Sequence, residues 1–361
     1  MGLFKDILSA DQTLFKNEEA LEFEFIPKNL PYRENEHHYI ADSIKPLLAG
    51  RNGRNLFIHG APGIGKTAAV KYVFRELEFE TEDVIPIYVN CWKQNTSFKI
   101  LSYICEELDY HLTHNKKTEE LLRVIKKLLN KKAAVFAFDE VDKLEDQDFL
   151  YLILEEIYRK SVFLITNYKD WVVQLDDRVR SRMLSEMLYF RPYNKEEMLG
   201  ILKQRAELAF YPYVWEDGAL KMIAEEAAPS SDVRKGLYLM KYAGQIAESE
   251  SSKKITKEHV TKALAKTSEF SIKAKEELDD ESRFVLDIIK SNSGKKIGEL
   301  FKLYQEAGGK GQYKTFQRKI KNLAMNKFVS VRKIIGGPQG STTIIKYGPP
   351  EKKLTEFEQG Q

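Results

Sequence analysis

The sequence predicts a parallel α/β core, then an all-helical domain, then a small basic domain of helices and a hairpin. Three observations carry that expectation. Apolar runs of strand length alternate with helical patterns from about residue 56 to residue 166, the mark of a parallel sheet with crossover helices. Gly60-Ala61-Pro62-Gly63-Ile64-Gly65-Lys66-Thr67 matches G-x-x-x-x-G-K-[ST] at every required position, between an apolar run and a helical pattern. Charge is segregated: residues 281–348 hold 14 Lys or Arg against 4 Asp or Glu, within a chain whose total is only +3.

Composition bounds the rest. At 361 residues, 43% hydrophobic and 31% charged, the chain is of ordinary globular composition and long enough for two or three domains. No apolar run reaches membrane-spanning length. Met1-Gly2-Leu3-Phe4-Lys5-Asp6 lacks a signal-peptide core and has Asp where myristoylation requires Ser or Thr, so a cytoplasmic protein with no membrane partner is expected. Cys91 and Cys105 suit a reducing compartment and packing roles, and no zinc-ligand spacing occurs.

Taken in order, residues 1–30 read as a loosely structured lead-in, and Pro27 and Pro31 bracket an extended stretch. Residues 34–48 space Ile40, Ile44, Leu47 and Leu48 as one helical face, and the adjacent His37 and His38 point apart as surface residues. The core is assigned to 31–193, with strands at 56–58, 84–89, 133–138 and 162–165 and helical patterns at 98–108, 118–129 and 149–158. Residues 195–210, 216–227, 233–248 and 256–265 form four amphipathic helices of a lid domain at 194–272. A charged connector, 273–280, leads to the basic domain at 280–348, and 349–361 reads as a disordered tail.

The chemistry starts at the Gly-rich loop. Its glycines let backbone N–H groups close around phosphates, and the helix that follows adds partial positive charge. Lys66 is expected to reach the terminal phosphates of a nucleoside triphosphate, and Thr67 to hold Mg²⁺. Val135-Phe136-Ala137-Phe138-Asp139-Glu140 brings two acids to the same edge of a parallel sheet. Asp139 then completes the Mg²⁺ shell and Glu140 polarises the attacking water. Asn167, ending the next strand, can orient that water. One of Arg178, Arg180 and Arg182 can serve a neighbouring subunit's γ-phosphate, and Arg234 can reach the phosphates from within the chain.

At the other end, 283–289, 296–305 and 313–325 read as helices, and 328–335 with 342–347 as strands around Gly336-Gly337-Pro338-Gln339-Gly340. Three helices and a hairpin make a winged helix. Phe316, Ile320 and Leu323 share one face of the third helix, while Lys314, Arg318 and Lys321 share another. One face is set for burial and one for double-stranded DNA: Gln317 and Arg318 for bases, the lysines for phosphates, and Arg332 and Lys333 for a minor groove. From Lys310 to Lys346 there are nine basic residues and no acid.

The phosphate loop, Asp139-Glu140, Asn167, Ser181-Arg182 and Asp232-Val233-Arg234, in that order, resemble an AAA+ ATPase. Pro27-Lys28-Asn29-Leu30-Pro31-Tyr32-Arg33-Glu34, Tyr88-Val89-Asn90-Cys91 and the basic C-terminal domain narrow this to a resemblance to the archaeal origin-recognition family, relatives of the eukaryotic origin recognition complex. The resemblance implies an ATP-dependent initiator that binds origin DNA, helps recruit the replicative helicase alongside other initiator subunits, and cycles slowly between ATP and ADP. It makes Asn167 the first sensor, Arg234 the second and Arg182 the finger, with Arg178 and Arg180 as rivals. It places Arg33, in the Leu30–Glu34 stretch, and Tyr193 over the adenine, and gives the helical insertion at 95–129 a share in gripping DNA. Two departures stand out. Leu112-Thr113-His114-Asn115-Lys116 replaces the family's Pro-x-x-Gly turn, and Ser231-Asp232-Val233-Arg234-Lys235-Gly236 replaces Gly-Asp-x-Arg-x-Ala. The alternatives are a divergent paralogue with a regulatory role, a clamp-loader-type or transposition-associated ATPase, and a DNA-binding module with a purely structural nucleotide.

Overall fold

A computed structural model describes residues 13–276, 280–309, 311–325, 328–334 and 342–348. The chain divides after Leu264 into two compact units. The first is built on a five-stranded parallel sheet: β1 (Leu56–Gly60), β2 (Val84–Asn90), β3 (Ala133–Asp139), β4 (Lys160–Thr166) and β5 (Glu186–Phe190), in the order β2-β3-β4-β1-β5. β3 is buried at all seven positions, as a strand covered on both faces must be. Its pleat divides its side chains. Ala134, Phe136 and Phe138 enter one core with Ile100 and Leu101 of α3 (Ser97–Glu107), Leu121 and Ile125 of α4 (Thr118–Leu129) and Phe149 of α5 (Asp148–Glu156). Ala133, Val135 and Ala137 enter the other, with Ile40 and Ile44 of α1 (Glu34–Leu48) and Val70 and Phe74 of α2 (Lys66–Glu80). The short α6 (Asp177–Met183) precedes β5.

β5 is a strand the sequence reading lacks. It is a sheet edge of five residues with only Phe190 fully buried, so its pattern carries little apolar signal. His37 also departs from the surface reading. Its ring is half-buried and stacks on Tyr72 at 4.7 Å between centroids, because α1 lies on α2.

The helical part comprises α7 (Lys195–Ala209), α8 (Ala219–Ala227), α9 (Val233–Ser249) and α10 (Lys257–Glu276). α10 takes in Lys273–Glu276, the start of the expected connector; residues 277–279 lie outside the described residues. The lead-in is not loose where it is described. Leu14, Phe15, Ala20 and Leu21 are buried in the lid's own core, with Phe15 against Phe210 at 4.7 Å. Arg205 of α7 donates to the carbonyls of Ala20 (3.0 Å) and Phe25 (2.9 Å), and Lys241 of α9 pairs with Glu22 at 2.6 Å. These apolar residues follow neither a helical nor a strand period, so only the lid groove reveals their purpose.

The second unit packs α11 (Asp280–Ser291), α12 (Ile297–Glu306) and α13 (Tyr313–Met325) against an antiparallel sheet ordered β6-β8-β7. These strands are β6 (Lys295–Lys296), β7 (Val329–Ile334) and β8 (Thr342–Tyr347), and the two-residue β6 is absent from the sequence reading. Val285, Ile289, Leu300, Tyr304, Phe316, Ile320, Leu323 and Ile345 form its core. The turn at 336–340 and the tail at 349–361 lie outside the described residues.

Candidate functional site

The C-terminal ends of β1, β3 and β4 meet at one edge of the sheet, and the loop Gly60–Thr67 closes over it into α2. Gly63 and Gly65 adopt φ of +73° and +89°, left-handed values that favour residues without a Cβ. Lys66 is buried, and its Nζ donates to the carbonyls of Gly60 and Ala61 at 2.9 Å each and to Oδ1 of Asn167 at 2.8 Å. Burial, opposed by the Asp139 charge, pushes its pKa down to about 8. The loop lysine and the residue just after β4 are thus one bonded group.

Asp139 ends β3 almost fully buried. Its Oδ2 accepts the Thr67 hydroxyl at 2.5 Å and the Tyr88 hydroxyl at 2.9 Å; its Oδ1 accepts the Glu140 N–H at 2.8 Å. Tyr88 is a member that motif reading missed. It stands on β2 directly opposite Ala137 of β3, so strand pairing alone brings it to the carboxylate. Glu140 sits at φ +56°; burial, then the charges of Asp139 and Asp142, raise its carboxyl above the ordinary range.

Arg234 enters from the N-terminus of α9. Its Nε and Nη2 donate to Asp232 Oδ1 (3.0 Å) and Oδ2 (2.9 Å). Lys66, Thr67, Asp139, Glu140, Asn167 and Arg234 all line one cavity of about 400 Å³. Leu30 of the lead-in and Pro31 at the start of the core also line it, with Tyr193 in its wall.

Arg33 is placed differently from Tyr193. Its side chain is 1% exposed and is not part of the cavity lining. Nε donates to Tyr193 Oη (3.0 Å), Nη2 to the carbonyls of Ile64 (3.1 Å) and Arg191 (2.7 Å), and Nη1 pairs with Glu36 at 2.7 Å. The guanidinium lies over the Tyr193 ring at 4.0 Å. It ties the loop at Ile64 to the chain after β5, and sequence proximity to the base-covering stretch could not distinguish that from a contact with nucleotide.

Arg182 lies away from this cavity, on the exposed face of α6, where Nε donates to Glu155 of α5 at 2.7 Å and the guanidinium stacks over Tyr151 at 4.7 Å. Arg178 bonds Asp176 and Arg180 bonds Asp177, both within their own turn. In the insertion, α3 and α4 bury Ile104 and Ile125 against the sheet, and Asn115 takes a left-handed φ of +62° in their connection, a conformation Gly adopts more easily.

In the second unit, Lys314, Gln317, Arg318 and Lys321 are exposed on α13, opposite buried Phe316, Ile320 and Leu323. Lys319, between them in sequence, instead pairs with Glu281 of α11 at 3.1 Å. Arg332 and Lys333 lie on β7, in register with Ile344 and Thr343; their side chains lie outside the described residues.

Residues 50–166 match an AAA domain, and residues 199–265 match the Cdc6 AAA+ ATPase-type lid domain. ORC1-type DNA replication protein 1 of Archaeoglobus fulgidus is 32% identical over 98% of this chain and 92% of its own. Its namesake from Sulfurisphaera tokodaii is 33% identical over 94% and 92%. The chain belongs to the ORC1-type DNA replication proteins. As an ORC1-type protein it carries a nucleotide-binding AAA+ core with a helical lid. The structure of the Aeropyrum pernix ORC1 protein in complex with DNA superposes with a TM-score of 0.73 at 27% identity, covering 94% of this chain and 95% of that one. Among the described residues no helix is long and apolar enough to cross a membrane.

Proposed function

We propose that this ORC1-type protein is an ATP-dependent replication initiator that binds origin-like double-stranded DNA and helps recruit the replicative helicase, slow ATP hydrolysis switching its state. The observation that carries the proposal is the convergence of Lys66, Thr67, Asp139, Glu140, Asn167 and Arg234 on one cavity. Lys66 would bind the terminal phosphates, and Asn167 keeps its ammonium oriented. The Thr67 hydroxyl and Asp139 carboxylate, 2.5 Å apart, are hard oxygen donors of the kind Mg²⁺ accepts alongside phosphate. When bound, that ion supplies neutralisation of charge on the phosphates. Glu140, its carboxyl raised by burial, would take a proton from water, and Arg234 would stabilise charge on the terminal phosphate. Tyr193, with Leu30 and Pro31, would enclose the base.

Arg182 would act as the finger on a neighbouring subunit. Its hydrogen bond to Glu155 of a second helix favours it over Arg178 and Arg180, whose side-chain hydrogen bonds to Asp176 and Asp177 stay within their own turn. The second unit reads as a winged helix. α13 would enter the major groove with Arg318 and Gln317 toward base edges and Lys314 and Lys321 toward phosphates, while Arg332 and Lys333 would follow the wing.

Steady-state turnover of Glu140→Gln tests the core of the proposal. A fall of about 10²- to 10⁴-fold is expected, with ATP binding retained. Unchanged turnover would remove Glu140 from its role.

A further inference from the structure

The lid touches the phosphate loop through a residue that the hydrolytic scheme does not use. Asp232 immediately precedes α9 and carries out three tasks with one carboxylate. Oδ1 accepts the backbone N–H of Arg234 at 3.0 Å, capping the helix. Both oxygens accept the Arg234 guanidinium, at 3.0 and 2.9 Å. The same carboxylate rests on the loop: a Cβ built on Gly63 would overlap Asp232 Oδ1 and Cγ. Next to it, the Val233 N–H donates to the Gly63 carbonyl at 3.1 Å. Gly63 is therefore bare for two reasons, its φ of +73° and the lid carboxylate seated on it.

An N-cap alone does not explain this arrangement. Asn or Ser caps a helix about as well as Asp. Neither would hold a guanidinium through two charge-assisted bonds, and neither would set a negative charge against a loop shaped for phosphates. Arg234 shares the cavity with Glu140 and Lys66, so the anions around its guanidinium are Asp232, which it bonds, the Glu140 carboxylate and, with nucleotide bound, a terminal phosphate.

We propose that Asp232 is a positioning residue that competes with the γ-phosphate for Arg234 and so sets how strongly the closed lid distinguishes a triphosphate from a diphosphate. The inference rests on the nucleotide-site reading above and assigns a regulation to that site. With a diphosphate, Arg234 stays on Asp232. With a triphosphate, Arg234 must leave one carboxylate for another anion, and the affinity gained from the extra phosphate is reduced by the bond surrendered.

The test uses the full-length chain with Mg²⁺ and measures the affinities of ADP and a non-hydrolysable ATP analogue by titration calorimetry. Asp232→Asn keeps the cap and the shape but removes the charge. The ratio of triphosphate to diphosphate affinity is expected to rise about tenfold, the difference between a charge-assisted and a neutral bond. In an Arg234→Ala background the same substitution is expected to leave the ratio unchanged, because Asp232 acts through Arg234. Asp232→Ser, which also caps, should match Asp232→Asn; if Asp232→Asn does not fold, this variant supplies the reading. Binding of both nucleotides with an unaltered ratio overturns the competition and leaves the nucleotide site standing. Wild-type protein that binds neither nucleotide overturns the site and the competition together.

Discussion

Replacing Arg33 with Met separates a loop clamp from a nucleotide contact. The substitution keeps the length and apolar stem of the side chain but removes a guanidinium that is 1% exposed and bonded to four groups: Tyr193 Oη, the carbonyls of Ile64 and Arg191, and the Glu36 carboxylate. Breaking a buried pair by removing one partner costs about 3–5 kcal/mol, because the other charge stays buried without compensation. Glu36, 14% exposed at its side chain, can regain part of its hydration, so the lower end, about 3 kcal/mol, is the better figure here. For a folding unit of this size that lowers Tm by roughly 6–12 °C. Scanning calorimetry measures the shift, and hydrogen exchange at the Ile64 and Gly65 amides reports whether the loop loosens first. Arg33→Lys retains the charge opposite Glu36 but cannot span two carbonyls and a hydroxyl, so it should recover only part of the loss. A variant with unchanged Tm and unchanged exchange, weakened only in nucleotide binding, would refute the clamp and return Arg33 to the adenine.

Further outcomes follow from the same geometry. Arg205→Met leaves the Ala20 and Phe25 carbonyls without their donor, at about 1–3 kcal/mol each, so limited trypsin digestion at Lys16 and Lys28 should quicken at least about tenfold; equal rates would detach Arg205 from holding the lead-in. Arg318→Ala should cost about 1–3 kcal/mol on specific DNA and relax preference at one base position, while Lys314→Ala should weaken all sequences alike and lower the salt slope by about one. Wild-type binding by the double variant would dismiss α13 as the reading helix. Burial holds the His37 imidazole below its usual 6.5, against the opposing pull of Glu34 and Glu36 and with His38 and Arg33 adding to the burial effect. The folded state therefore binds fewer protons than the unfolded one, and stability present above pH 6.5 is lost as pH falls below it. His37→Phe, which keeps the stack on Tyr72, should flatten the dependence of Tm on pH between about 7.5 and 5.5; an unchanged slope would show that His37 carries none of it.

The sequence by itself determined the parts governed by local chemistry. The Gly60–Thr67 loop, the apolar run ending in Asp139-Glu140, the amphipathic lid helices and the two faces of α13 are each written within a dozen or so neighbouring residues, where period and turn chemistry are strong. Tertiary structure decided the parts whose partners lie far apart in the chain. Tyr88 meets Asp139 only because β2 pairs with β3, and β5 is a strand only because β1 offers it an edge. Leu14 and Leu21 have no period of their own and become core when the lid supplies a groove. Arg33, three residues from the base-covering stretch's start, turns away from the cavity because Glu36, Tyr193 and two carbonyls converge elsewhere. In the chain Asp232 is the residue before a lid helix and two before Arg234; packed against Gly63 and bonded to Arg234, it becomes the joint between lid and loop. A side chain's type sets which partners satisfy it, and long-range packing chooses among them, since a buried charge must be met by whatever the fold brings within reach.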